Sequence, residues 1–476
     1  MNAPQKKDEL PEQIPPALAR AELFRQKGEL GEAMAALTPY LNDHFDSVPA
    51  LMLAAHIFMD DGRIGMAHPL LKRASQIEPN NPMIWNNIGT CYREGANWDE
   101  AETLYYRALK LSPNDALTNA NIASLYVARA QPHQALKHLK IAMASNPGIA
   151  EAYYNRALAN VSLGNYKEGW ADYDNVLGQG DTRKERVYGM IPRWNGKEGK
   201  SLIAYGEQGI GDEIAFASCI PDLAKQNKVI LECDPRLWGL FKRSFDLETH
   251  GTRFDERIPW LHDKETKKLR KIDGAVAFGS LPQYYRNELS AFPGTPYLVA
   301  DPERRIQWRA LLDALGPKMK VGITWTGGNP NTGKARRSLE LEELLPILRQ
   351  DATFISLQYQ DAPEVLALQR DHGIKIHHWK RATQSNDYDD TASLVAELDL
   401  VISVTTAVIH LSGALGQKCW VMAPKHARWF YGVTGETMPW YQSVKLYRQK
   451  AEWVHTIAQI ATDLRNTVQP PIEVLR

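Results

Sequence analysis

The chain has 476 residues, 44% of them hydrophobic and 24% charged, which is enough apolar material for more than one folded core and excludes disorder as the main state. Lys plus Arg and Asp plus Glu are both 56, so the chain lacks the basic excess of a general nucleic-acid or anionic-membrane binder, and neither partner is expected. The four cysteines are scattered with no CxxC pair, which argues against a disulfide framework or a zinc ribbon. The first residues, MNAPQKKDELPEQIPP, show no apolar signal core, and the most apolar stretch, 398–415, is interrupted by Asp399 and His410. A cytoplasmic protein is expected.

The first third repeats itself. Ala33, Ala67, Ala101, Ala135 and Gly169 recur every 34 residues, and so do Ala21, Ala55, Gly89, Ala123 and Ala157. Pro79, Pro113 and Pro147 keep the same interval, and Phe24, Phe58, Tyr92 and Tyr126 fall in register. Small residues let two helices approach closely, large ones fill the gap to the neighbour, and proline ends the second helix. The pattern resembles the tetratricopeptide repeat, most fully over 82–113, with Trp85, Gly89, Tyr92, Ala101, Tyr105, Ala108 and Pro113 at consensus positions. We expect a repeat superhelix of about five repeats over 14–180, with a concave groove for a protein partner whose contact residues are unknown. Arg156 and Asn160 depart from the pattern in the fifth repeat, as in a cap packed on the next domain.

Residues 181–200 are charged, with interspersed Gly and Pro, and read as a linker. Beyond it, helical periodicity gives way to alternating strands and helices. Strands are expected at 201–205, 228–233 and 272–278 and again at 320–325, 354–357, 398–403 and 418–422. Helices are expected from about 213 and after Asp234, from about 339, at 362–371, at 391–397 with Asp390 as cap, at 406–415, and at 453–464. The stretch 249–271 has no clear pattern. This alternation suggests two doubly wound α/β lobes, 201–300 and 318–476, connected by 301–317, with a ligand cleft at the carboxyl ends of the strands.

Three strand-to-helix turns carry candidate chemistry. GEQGIGD (206–212) places Asp212 in a helical first turn, where a carboxylate suits the helix dipole whatever else it does. Gly327 and Asn329 lie in WTGGNP (325–330), followed by Lys334, Arg336 and Arg337, which suit either a phosphate clamp or a solvated basic loop. In SVTTAVIH (403–410), Thr405 and Thr406 open a helix whose free N–H groups suit an anion, though simple capping explains them equally, and His410 fits a packed core histidine. His372, His377 and His378 match no zinc spacing, and no metal or cofactor is expected.

The stretch 192–449 resembles the glycosyltransferase-like domain of bacterial tetratricopeptide proteins, related to heptosyltransferases and to the two-lobed GT-B design of O-GlcNAc transferases. The resemblance rests on PRWNG (192–196), EQGIGD (207–212), VGITWTGGNP (321–330), RSLELEEL (337–344), FISLQ (354–358), DLVISVTTAVIHLSGALG (399–416) and PWYQSVKLYRQ (439–449). Alphaproteobacterial flagellin glycosyltransferases look similar in architecture. The resemblance implies metal-independent transfer of a sugar from a nucleotide-sugar to Ser or Thr of a protein such as flagellin, held by the repeats. It implies Asp212 as general base, with Glu207 the second choice. It places Trp325, Gly327, Asn329, Arg337, Gln358, Thr405, Thr406 and His410 around the donor. The family usually has Asp-Thr where this chain has Thr405-Thr406. That loss suits a donor whose sugar is itself acidic, and it equally suits the alternative: a non-catalytic adaptor or chaperone that keeps a degenerate GT-B domain.

Overall fold

A computed structural model describes residues 14–179, 183–263, 265–266, 268–328, 334–359, 361–384 and 386–469. Ten helices open the chain: α1 Pro16–Gln26, α2 Leu30–Asp43, α3 Val48–Asp60, α4 Ile64–Ile77, α5 Pro82–Glu94, α6 Trp98–Leu111, α7 Ala116–Ala128, α8 Pro132–Ser145, α9 Ala150–Ser162 and α10 Tyr166–Asn175. Successive pairs form the five repeats. The small residues of the 34-residue pattern are the ones that vanish from solvent: Ala33, Ala55, Ala67, Ala101 and Ala123 have no exposed area. The turn inside each repeat needs one left-handed residue, at Gly28 (φ 77°), Gly62 (71°), Ala96 (61°), Ala130 (53°) and Gly164 (85°), again 34 apart.

Two compact units divide the chain: Met1–Tyr126 with Gln134–Ala152, and Val127–His133 with Tyr153–Arg476. The fifth repeat therefore belongs with the α/β region. Its departures from the repeat pattern have local causes: Arg156 forms a two-pronged ion pair with Asp172, at 2.6 and 2.7 Å, and Asn160 accepts from the Asn165 side chain. The indole of Trp170 donates to the carbonyl of Arg286 at 2.8 Å, and Tyr173 donates to Gln208 at 2.8 Å.

The 181–200 segment is not a free linker. In its described part Arg183 and Tyr188 are buried, and residues 192–194 run beside a strand, with Trp194 N donating to Ala275 O at 2.8 Å and Ala275 N to Pro192 O at 2.9 Å. Charge misled the reading, because Arg183 and Arg186 pair with the buried carboxylates of Glu207 and Glu232.

The first sheet comprises β1 Ser201–Tyr205, β2 Lys228–Glu232, β3 Glu248–His250 and β4 Gly274–Ala277, all parallel, in the order β3-β2-β1-β4. The second comprises β5 Lys320–Thr324, β6 Thr353–Ser356, β7 Ile376–His377, β8 Leu400–Val404, β9 Cys419–Ala423, β10 Thr437–Met438 and β11 Tyr441–Arg448, in the order β10-β11-β9-β8-β5-β6-β7. Only the β10–β11 pair is antiparallel. The central strands are mostly apolar and buried on both faces, as parallel strands between helical layers must be. Strands β3, β10 and β11 were not expected. β11 hides its pattern because Gln442 and Lys445 interrupt it.

The 301–317 connection is mostly a helix, Pro302–Asp313, capped by Asp301, which accepts from the N–H groups of Glu303 and Arg304 at 3.0 Å. The expected cap Asp390 is instead inside the helix Tyr388–Val395, whose cap is Asp387, and Asp390 pairs with Arg304 and Arg381. The final helix runs Trp453–Val468. All four cysteines are free and buried. Among the described residues no helix is long and apolar enough to cross a membrane. The chain is thus an N-terminal helical repeat array followed by a mixed α/β region with parallel sheets.

Candidate functional site

In each sheet the strand order reverses beside the first strand, between β1 and β4 and between β5 and β8. Such switch points leave a crevice outside the carboxyl ends of the strands. Here a cavity of about 660 Å³ is lined by the turn after β1 and by the turns after β5, β6, β8 and β9. Two helix N-termini border it: Ile210–Ala217 through Gly209 to Asp212, and Ala407–Leu415 through Thr405 to Val408. Their free N–H groups and dipoles favour an anion between them.

Asp212 is the only carboxylate among the described lining residues. Burial raises its pKa, against the pull of the nearby Arg428 charge, and Glu207 adds to the rise. The cations of the cavity are Arg236, Arg337 and Arg428. Arg236 is neutralised by Asp234, at 2.7 and 2.9 Å. Arg337 donates to the carbonyl of Thr405 at 3.2 Å, and its pKa is lowered first by burial and then by the like charge of Arg428. Arg428 makes no hydrogen bond or salt bridge to another side chain among the described residues. Two guanidinium groups that repel each other across an open cavity are relieved by a bound anion.

His410 is buried and lines the cavity, with Nδ1 3.2 Å from the Tyr441 hydroxyl. Burial pushes its pKa down to about 3, with Arg428 adding to the effect, so the ring is neutral. Thr406 caps its helix, its Oγ1 accepting from Val408 N at 3.3 Å, and also lines the cavity, so both readings of it hold together. Thr405 is almost fully buried on the cavity wall. Gln358 lines the cavity, but its amide is engaged: it donates to Thr326 and accepts from Trp325 N at 3.4 Å.

Three expected site residues fall elsewhere. Glu207 does not line the cavity. Its carboxylate holds the fully buried Arg183, with contacts at 2.6 and 3.1 Å, and accepts from Gln208 at 2.9 Å, which leaves it a structural ion pair. Trp325 is a core residue whose indole donates to Glu364 at 2.8 Å. Gly327 stands behind the lining: a Cβ there would lie 2.8 Å from Thr406 Cγ2 and 3.2 Å from Thr405 O, so the residue is small to let two turns meet. Asn329, also expected at the donor, lies outside the described residues. Of the basic loop, Arg337 reaches the cavity and Arg336 does not line it. No group of three or more His, Cys, Asp or Glu among the described residues could hold a metal ion.

Sequence reading missed Arg428 and its neighbours Phe430 and Tyr431. A signal was present: PKHARWFYG (424–432) directly follows β9, and a basic, aromatic loop at the carboxyl end of a central parallel strand stands where ligands bind.

A sequence model of the tetratricopeptide repeat matches residues 52–116 and 121–182. Protein FlbA of Caulobacter vibrioides is 29% identical over 417 residues, which is 83% of this chain and 69% of that protein. The tetratricopeptide repeat-containing protein trd-1 of Caenorhabditis elegans is 25% identical over 122 residues, 26% of this chain and 16% of that one. Among solved structures, a thermophilic TPR protein of Thermus thermophilus is 18% identical with a TM-score of 0.32, covering 34% of this chain and 89% of that one. YrrB, described as a TPR protein with an unusual peptide-binding site, is 19% identical with a TM-score of 0.26, covering 33% and 82%. The chain carries tetratricopeptide repeats, and these support a protein-interaction role.

Proposed function

We propose that the chain is a cytoplasmic, metal-independent glycosyltransferase of GT-B type that moves a sugar from a nucleotide-sugar to a protein recruited by its repeats, flagellin Ser or Thr being the acceptor we favour. One observation carries this reading: among the described residues a single carboxylate, two mutually repelling arginines and a helix N-terminus converge on one cavity between the two sheets. The donor phosphates lie against Arg337, Arg428 and the N-terminus of Ala407–Leu415. Asp212, on the turn after β1, takes the proton of the acceptor hydroxyl. The hydroxyl oxygen bonds to the anomeric carbon as the bond from that carbon to the phosphate oxygen breaks. The nucleotide leaves with the electron pair, its charge stabilised by fixed cations and dipoles. Neutral His410 adds no further charge beside the phosphate.

The adaptor reading has one residue in its favour: Thr405, where the related transferases carry Asp. It leaves Asp212 as the lone acid among the described residues of the cavity.

A thermal-shift panel of UDP, GDP, ADP and CMP tests the proposal. A nucleotide at about 100 times its dissociation constant adds about 2.7 kcal/mol to the native state and raises the melting temperature. A selective shift, followed by sugar transfer to purified flagellin, is the expected result. A flat panel with retained partner binding would decide for the adaptor.

A further inference from the structure

Arg428 has no side-chain partner among the described residues, so its place in the cavity is set by the backbone that carries it. That backbone, 424–433, is anchored on the fifth repeat and on the turn inside the fourth. His426 Nδ1 donates to the carbonyl of Arg129, in the turn between α7 and α8, at 2.8 Å. Trp429 lies edge-on to Trp170 of α10, with centroids 5.7 Å apart, and near Tyr173 at 6.1 Å. The ring of Trp429 stacks on Phe430 at 3.7 Å, and Phe430 meets His410 at 4.8 Å on the cavity wall. Leu158 and Ala159 of α9 face Ala427 and Trp429 across a crevice of about 20 Å³, too narrow to let the loop shift freely. A loop held on one side by a hydrogen bond and on the other by packed indoles keeps a position that loops ordinarily lack.

We propose that the last two repeats are part of the donor site: the turn inside the fourth, through His426, and the fifth, through Trp429, fix where Arg428 and Tyr431 meet the ligand. This rests on the nucleotide reading above. His426 touches no ligand and is a positioning residue. The repeats and the transfer site then cannot be parted at residue 180, because the loop loses its support.

The test uses the full chain and whichever of UDP, GDP, ADP and CMP binds the wild type most tightly. His426→Ala removes the bond to Arg129, and the expected result is a dissociation constant about five- to tenfold higher at an unchanged melting temperature of the free protein. His426→Asn restores an N–H donor near the place of Nδ1 and is expected to recover affinity to within about twofold. Leu158→Ala reads the same coupling from the repeat side, with a rise of about two- to fivefold. His426→Ala and Leu158→Ala variants that bind like wild type overturn the inference alone. A wild type that binds none of the four nucleotides overturns the nucleotide reading and this inference with it.

Discussion

In the first repeats, what is buried carries no charge: Ala33, Ala67 and Ala101 are buried with larger apolar side chains such as Leu37, Leu71 and Tyr105, and the buried polar residues there, Asn86, Asn87, Thr118 and Asn119, are neutral. The α/β region also buries charge, and several of its buried acids are met by an arginine from a distant stretch of chain. Glu207 is met by Arg183, Glu213 by Arg253, and Glu232 by Arg186 and the hydroxyls of Tyr188 and Thr252. Glu213 shows how much this matters, since burial pushes its pKa up to about 8 even beside Arg253. Repeats gain stability from short-range packing, whereas the α/β region pins its loops with ion pairs. Against that background Arg428, which has no such partner among the described residues, stands apart.

The largest expected effect tests whether the cavity is a site of chemistry. Asp212→Asn keeps the shape and removes the base, so transfer should fall about 10³-fold while nucleotide affinity stays within a few-fold of wild type. Steady-state rates with separate nucleotide titrations check this. Unchanged turnover would remove Asp212 from the mechanism.

Next in size is Arg428→Ala. Because Arg428 bonds no side chain among the described residues, its removal orphans nothing and the fold should keep its melting temperature. A lost charged hydrogen bond to phosphate is worth about 1.5–3 kcal/mol, so the nucleotide dissociation constant should rise about 10- to 100-fold. The same charge lowers the Asp212 pKa. A general base works ionised, so activity is present above its pKa and lost as pH falls through it. Removing the Arg428 charge lets that pKa rise, and the acid limb of the pH–rate profile should move to higher pH. A limb that stays in place would separate Arg428 from Asp212.

These contrasts bear on what could be read from the chain. The repeats were legible because their determinants are local: a period of 34 survives whatever surrounds it. The parallel strands were legible as apolar runs, and the turn after β8 was legible as a helix start. The cavity's lining was legible from pattern at two strand-to-helix turns, at Asp212 and at Thr405 and Thr406, while Arg337, Gln358 and His410 were placed there by the family resemblance. Glu207 and Asp212 share one such turn, and only tertiary contacts separate them: Arg183 claims Glu207 from a segment that read as linker. Trp325 read as a ligand residue because of its neighbours, but its side chain points into a core that the motif does not reveal. Arg428 was missed because its loop does not open on a glycine-rich turn, its place on the cavity following from the strand that precedes it.

The smallest effect probes the repeat side of the comparison. The turn inside each repeat takes a left-handed residue, and at Gly28 and Gly62 a Cβ would meet nothing within 4 Å, so glycine is there for its backbone and not for space. Ala96 holds the same conformation, φ 61°, with a side chain that resists it. The left-handed form costs a non-glycine residue about 1–2 kcal/mol, and glycine gives back about 0.5–1 kcal/mol through the freer unfolded chain. Ala96→Gly should therefore stabilise by roughly 0.5–1 kcal/mol, read as a higher urea midpoint at constant slope. Gly62→Ala should lose a similar amount. Neither should change nucleotide affinity if stability in the first repeats is local. A change in affinity on substituting Ala96 would mean that those repeats share the long-range coupling of the α/β region, and the distinction between the two would fail.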